Sequence, residues 1–132
     1  MKGYSSMSAQ NSDLGRIQEM FDIIEQTKRQ ITEIGMTRER FLSPQDPADE
    51  LIVEGLENRV FRVTEEGGKM SKEATLYGFD SQEMRGMRNI LAHAYGEVDR
   101  RIIWNALEKD FPMIADACRA YCADKNIELV EL

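Results

Sequence analysis

The sequence contains one histidine, one tryptophan, two cysteines and three prolines. Each scarcity excludes a class of structure. Cys118 and Cys122 lie four apart on what reads as a helix, a spacing that would strain an intrahelical disulfide. No further cysteine or second histidine is present to complete a tetrahedral metal site. The expectation is two buried thiols, no metal and no cofactor. Long apolar runs are absent too, and none approaches the ~20 residues of a membrane span. The segment Met1 to Ser12 is polar and has no hydrophobic region of a secretory signal. These absences predict a cytoplasmic chain with no membrane partner. Positive charge is also short: the net charge is −7. That argues against a broad nucleic-acid binder, because phosphate contacts dominate such affinity. Sustained strand alternation, internal repeats and low-complexity tracts are all missing.

What is present is helical periodicity. A chain of 132 residues reads as one domain and buries enough surface for a core without staples. Residues 1–11 read as a flexible tail, rich in Ser, Gln and Asn. Ser12 or Asp13 is the expected N-cap of the first helix. Leu14, Ile17, Phe21, Ile24, Ile31 and Ile34 then follow 3.6-residue spacing, with Lys28 in the one gap, up to a stop at Gly35. Thr37 to Leu42 reads as a short helical turn ended by Pro44. Asp46-Pro47 starts the next helix, with Asp46 as cap, Pro47 in the first position and Asp49 and Glu50 at its positive end. Ile52, Leu56, Val60 and Val63 give it one face as far as about Met70. Gly67-Gly68 lie inside it, at a cost of about 1 kcal/mol each against alanine. After a connection over 71–79, Asp80 or Ser81 caps a helix that stops near Gly96, and Asp80 with Glu83 fits a capping box. Met84, Met87, Ile90 and Leu91 are its apolar side. Asp99 caps the last helix, whose stripe is Ile103, Leu107, Phe111, Ile114, Cys118 and Tyr121. Pro112 interrupts it, through a kink or a restart capped by Asp110. Residues 123–132 read as a C-terminal tail in which Ile127, Leu129 and Val130 could pack back. The fold class is all-α, an up-down bundle of four to five helices.

The chemistry concentrates in Arg88-Asn89-Ile90-Leu91-Ala92-His93-Ala94-Tyr95. Histidine takes and gives protons near neutral pH. Arginine is a fixed cation whose planar fork suits phosphate oxygens. A tyrosine hydroxyl can donate, accept or receive a transferred group. Together they carry what metal-free phosphodiester cleavage needs. Residues five apart sit about 140° around a helix from one another, whereas residues four apart share a face. Asn89 and His93 therefore align and Arg88 and His93 do not. Joining Arg88 to His93 needs a distorted helix end or a second copy of the motif across a two-fold axis. Arg85, Arg100 and Arg101 flank the motif as candidate RNA contacts, opposed by Glu97 and Asp99; such a run is most often a solvated face. A lone histidine near a helix end is usually structural, and an arginine beside it a surface ion-pair partner.

The run from Gly86 to Tyr95, continued by Val98-Asp99 and Ile103-Trp104, resembles the signature of HepT-like proteins of the HEPN superfamily. Its hallmark is arginine, four residues, histidine, one residue, tyrosine, and Arg88, His93 and Tyr95 stand at those places. The similarity extends over roughly residues 12 to 120, within an HEPN-like helical domain of residues 12–122. The chain departs from the family in the second long helix, where Glu65-Glu66-Gly67 stands for Gly-Glu-Ala and only Glu66 matches. That departure makes the packing at this crossing an open point, with a bend at Gly67-Gly68 as one solution. The resemblance implies the toxin of a type VII-like toxin–antitoxin pair. It would be a homodimeric endoribonuclease with its cleft at the interface, acting on RNA with Arg88, His93 and Asn89 as catalytic residues. It further implies neutralisation through AMPylation of Tyr95 by a small MntA-like nucleotidyltransferase antitoxin. The competing class is a non-catalytic helical substrate-binding subunit of a nucleotidyltransferase, toward which the acidic charge leans.

Overall fold

The structure, a computed structural model, describes residues 2–93 and 97–130, with side chains from residue 13 onward. All regular structure among the described residues is helical. Helix α1 spans Lys2–Ile34, α2 Arg38–Leu42 and α3 Pro47–Gly68. A 3-10 helix at Lys72–Tyr77 leads to α4, Ser81–His93. α5, Arg100–Asn105, runs through a π-helical turn at Ala106–Asp110 into α6, Phe111–Asp124. α4 packs on α3, α3 on α1, and α1 on α6, so the long helices form a bundle.

Most boundaries follow from local chemistry. Gly35 ends α1 at φ +64°, where the Met36 amide reaches the Ile31 carbonyl at 3.0 Å. Asp46 caps α3 by accepting from the Asp49 amide at 2.8 Å, with Pro47 in the first turn. Asp80 caps α4 by accepting from the Glu83 amide at 2.9 Å. Arg40 then ties three elements together. Its guanidinium donates to the Ile34 carbonyl at 2.7 Å and to both Asp49 oxygens at 2.7 to 3.1 Å. These hydrogen bonds, and the charge behind them, hold the Asp49 carboxyl below the usual carboxylate range.

Several expectations are corrected. α1 begins at Lys2, so Ser12 and Asp13 lie inside it and neither is its N-cap. Asp13 is buried and accepts from the Ser71 amide at 3.0 Å and from the Ser71 hydroxyl, so it serves the turn after α3 and not its own helix end. Thr27, not Lys28, fills the gap in the α1 stripe. It is buried because its hydroxyl is satisfied by donating to the Ile23 carbonyl at 2.6 Å. Ile34 and Ile90 are exposed, not core. Asp110 forms no side-chain cap. The chain passes Pro112 by widening: the Phe111 amide bonds to the Ala106 carbonyl, one residue further back than in an α-helix.

The core is continuous from Ile17, Met20 and Phe21 of α1 to Val60 and Val63 of α3 and Cys118 and Tyr121 of α6. Trp104 tilts against Phe41 at 5.4 Å between ring centroids, and Tyr77 meets Tyr121 edge-on at 5.1 Å. Both cysteines are buried free thiols. Burial pushes the Cys118 thiol up to about 12, which makes it inert at neutral pH. Ile127 and Leu129 pack back on the core, and Gln18 donates to the Val130 carbonyl at 3.1 Å.

The crossing of α3 and α4 depends on two glycines. A β-carbon on Gly67 would stand 1.8 Å from the Met84 sulfur, and one on Gly68 would stand 2.7 Å from Arg85 Cγ. The departure from the family pattern at this point is thus a notch that admits α4. Arg85 seals it by donating to the Gly68 carbonyl at 2.8 Å. Gly55, exposed on the same helix, has open space where a β-carbon would stand, with nothing within 4 Å. Gly55→Ala is therefore expected to stabilise the protein by about 1 kcal/mol through helix propensity alone. Gly67→Ala is expected to destabilise it by about 1 to 2 kcal/mol, because overpacking outweighs the propensity gain. Urea unfolding of the two variants should show shifts of opposite sign; two shifts upward would contradict the close crossing.

Candidate functional site

α4 enters the site through its first half and presents its second half outward. Ser81 and Met84 are its buried residues among those described. Met84 meets Gly67 and Arg85 meets Gly68, while Arg88 lies over the Phe61 ring, 5.7 Å from guanidinium carbon to centroid. From Met84 beside Gly67 to Arg88 over Phe61 the contacts advance along α4 and retreat along α3, so the two helices run antiparallel. Continued in that register, the end of α4 reaches the level of Glu57. This is where the next described helix arrives: Arg100 Nε of α5 lies 3.6 Å from Glu57 Oε1.

Within the motif, Arg88 is half-buried, and its Nη1 donates to Asn89 Oδ1 at 3.4 Å. Phe61 supports the guanidinium as a cation–π platform. Asn89 and His93 are exposed. His93 is the last residue of α4. The structure joins Arg88 to Asn89 and, among the described residues, forms no bond between Arg88 and His93. Tyr95, the expected modification site, lies outside the described residues.

The flanking arginines are largely committed. Arg85 closes the helix crossing through the Gly68 carbonyl. Arg100 pairs with Glu57, whose carboxyl is pushed up by burial and drawn back by Arg100. Arg101 forks onto Asp99 at 2.8 to 3.2 Å, and Asp99 also accepts the Arg101 amide as cap of α5. The Arg101 guanidinium, first, and its amide, second, hold the Asp99 carboxyl down at about 2. Arg88 differs from these three in that its hydrogen bond among the described residues goes to the side-chain amide of Asn89 and to no carboxylate or backbone carbonyl. It is the guanidinium of the four best placed to take a phosphate.

Phe61 and Glu57 were not singled out from the sequence. Phe61 lies beside the Ile52-Leu56-Val60-Val63 face, and a partly buried aromatic next to a core stripe is the signal that could have marked it. Glu57 carried no signal, since its partner is distant in sequence.

The surroundings leave the chemistry to the motif. Among the described residues no three His, Cys, Asp or Glu side chains are grouped so as to hold a metal ion. No described helix is long and apolar enough to cross a membrane. No curated protein and no solved structure gives a significant match to this chain. The sequence does match the family described as Ribonuclease HepT-like, over residues 17–121, a span that contains α3, α4 and the whole described motif. With the helical bundle and an exposed His93 at the end of α4, this match means that the chain belongs to the HepT-like ribonuclease family.

Proposed function

We propose that the protein is an endoribonuclease toxin that cleaves RNA without a metal ion and is silenced by modification of Tyr95. The observation that carries this reading is the surface at the end of α4. An exposed histidine there shares a helix with an arginine held on an aromatic ring and free of carboxylate partners among the described residues. In the reaction the 2′-oxygen of a ribose attacks the adjacent phosphorus. A neutral His93 takes the 2′-hydroxyl proton as the P–O5′ bond breaks. A protonated His93 from a second copy gives its proton to the departing 5′-oxygen. The products are a 2′,3′-cyclic phosphate and a 5′-hydroxyl. Arg88 stabilises charge on the phosphoryl oxygens, a contribution of about 3 to 4 kcal/mol at comparable sites. Asn89, bonded to Arg88 and one turn before His93, orients the phosphate or the imidazole.

The second copy follows from helix geometry. Arg88 and His93 point about 140° apart on one helix, so a single chain does not aim both at one phosphate. A two-fold dimer that pairs the ends of α4 supplies the missing group. Exposed Ile90 and Ile102 give such an interface apolar surface near the motif. Arg85, Arg100 and Arg101 add charge to the rim of the cleft, tempered by their own partners. A groove with so few uncommitted cations touches few phosphates, in keeping with the net charge of −7. The same shortage of cations is what favours the second reading, a non-catalytic subunit that presents substrate to a nucleotidyltransferase.

His93→Ala decides between the two. Because His93 is exposed, the variant should keep its melting temperature within a degree or so of the parent. It should lose RNA cleavage and toxicity, and EDTA should leave the parent's activity unchanged. Normal cleavage by the variant, or dependence on a divalent ion, would refute the mechanism. The shared cleft has its own check. In a heterodimer of one parent chain and one His93→Ala chain, cleavage should fall to a small fraction of the parent's, because the reaction draws its base and its acid from the two copies of His93. Half or more of the parent's rate in a demonstrated heterodimer of that kind counts against sharing.

Tyr95 lies two residues after His93, and its phenol is the proposed acceptor of AMP from a small nucleotidyltransferase antitoxin. The added phosphodiester carries negative charge that pairs with Arg88 and so competes with the RNA phosphate. Incubation with ATP, Mg²⁺ and the cognate enzyme should add the mass of adenylyl groups to this chain and abolish cleavage. Tyr95→Phe should gain no mass and stay toxic beside the antitoxin. An adduct mapped to another residue by mass spectrometry would remove Tyr95 from this role.

A further inference from the structure

The bundle is open on one side. α4 packs on α3, and α6 on α1, but α4 and α6 are not closely packed against each other. Between them runs a slot floored by Met84 and Met87 of α4 and by Phe111 and Met113 after the π turn. Met113 is 67% exposed, so the apolar floor continues onto the surface. The slot lies at the first half of α4, whereas Arg88, Asn89 and His93 occupy the second half.

The rim of the slot has one sign of charge. Asp80, Glu83 and Asp110 line it, and no described lysine or arginine does. We propose that this slot is a docking groove for a basic amphipathic helix of a partner protein. An apolar stripe on such a helix would replace the missing contact between α4 and α6, and its flanking lysines or arginines would meet the three carboxylates. Methionine suits the floor, because its flexible thioether adapts to the side chains that enter. Helix-in-groove recognition takes this form generally, with apolar anchors at helical spacing and charge at the edges. The carboxylates also repel one another along the rim. Burial, then the charges of Asp80 and Asp110, push the Glu83 carboxyl above its usual range. Burial does the same to Asp110, against the pull of Lys109. A cation brought to the rim relieves that repulsion.

The test uses a fluorescein-labelled amphipathic peptide with leucines on one face and lysines on the other. Its control has glutamates in place of the lysines. Fluorescence anisotropy with the full chain should show binding of the lysine peptide and none of the glutamate peptide. Met113→Asp, at an exposed position, should weaken binding roughly tenfold or more. The triple variant Asp80→Asn, Glu83→Gln, Asp110→Asn should weaken it as much, and its asparagine at position 80 preserves the helix cap. Neutralising the exposed Glu33, Glu50 and Glu54 to glutamine removes the same charge elsewhere and should change binding little. Equal losses in both triple variants would reduce the effect to bulk charge and overturn the proposal. Equal binding of both peptides, or of neither, would overturn it as well. If Met113→Asp dissociates a dimer of the parent chain, the groove belongs to a second copy and not to a basic partner helix.

Discussion

The site depends on how closely α4 can approach α3. Gly67 and Gly68 remove the side chains that would hold the helices apart, and Met84 and Arg85 occupy the space. Each glycine in a helix costs about 1 kcal/mol against alanine. Here that cost falls at the last turn of α3, where helical hydrogen bonding is ending anyway. The gain is a fixed antiparallel register. It sets Arg88 on Phe61 and carries His93 to the outer end of α4. The motif helix is therefore anchored at its start and presented at its end. A site built this way is rigid at the arginine and open at the histidine.

Charge near the motif is arranged by subtraction. Four arginines lie close to it in sequence, yet three are spent on the fold. Arg85 caps the carbonyl at the glycine notch, Arg100 pairs with Glu57, and Arg101 forks onto Asp99. Exposed pairs of this kind add little stability, but they do fix where cationic charge is available. The arrangement reconciles an acidic chain with an anionic substrate. On the proposed reading, one guanidinium pre-positioned on an aromatic ring does not need a basic surface around it, because the contact is short and is repeated across a dimer.

Much of this was legible in the sequence because it is local. Gly35, Asp46-Pro47, Asp80 and Asp99 mark helix ends through bonds that span only a few residues, and the structure forms them. The stripes on α3 and α6 were legible for the same reason. The motif itself was legible as a resemblance, and it lies on the expected helix up to His93. What escaped was non-local. Asp13 reads as a cap until Ser71, far along the chain, arrives to claim its carboxylate. Thr27 reads as a polar interruption until its hydroxyl turns back on its own helix and takes a bond from Arg59 at 3.2 Å. Gly67-Gly68 read as a weak point or a bend, because periodicity describes one helix at a time and a notch exists only for its partner. Glu57 and Phe61 belong to the site through that same partner.

The π turn at Ala106–Asp110 shows how one irregularity can serve two ends. Proline at 112 lacks the amide a regular helix needs and would press on the preceding turn. Widening that turn relieves both problems and leaves the helix unbroken from Arg100 to Asp124. The extra residue in the turn also rotates the residues beyond it. Before it, Trp104 faces Phe41 of α2; after it, Cys118 approaches the Ile17 carbonyl of α1 and Tyr121 meets Tyr77. A straight helix with the same residues would direct its stripe at one neighbour only. Rotated in this way, it closes the core against α2 and α1 in succession. At and just after the same turn, Asp110, Phe111 and Met113 line the gap between α4 and α6, so that gap takes part of its apolar floor and one carboxylate of its acidic edge from the segment that accommodates the proline.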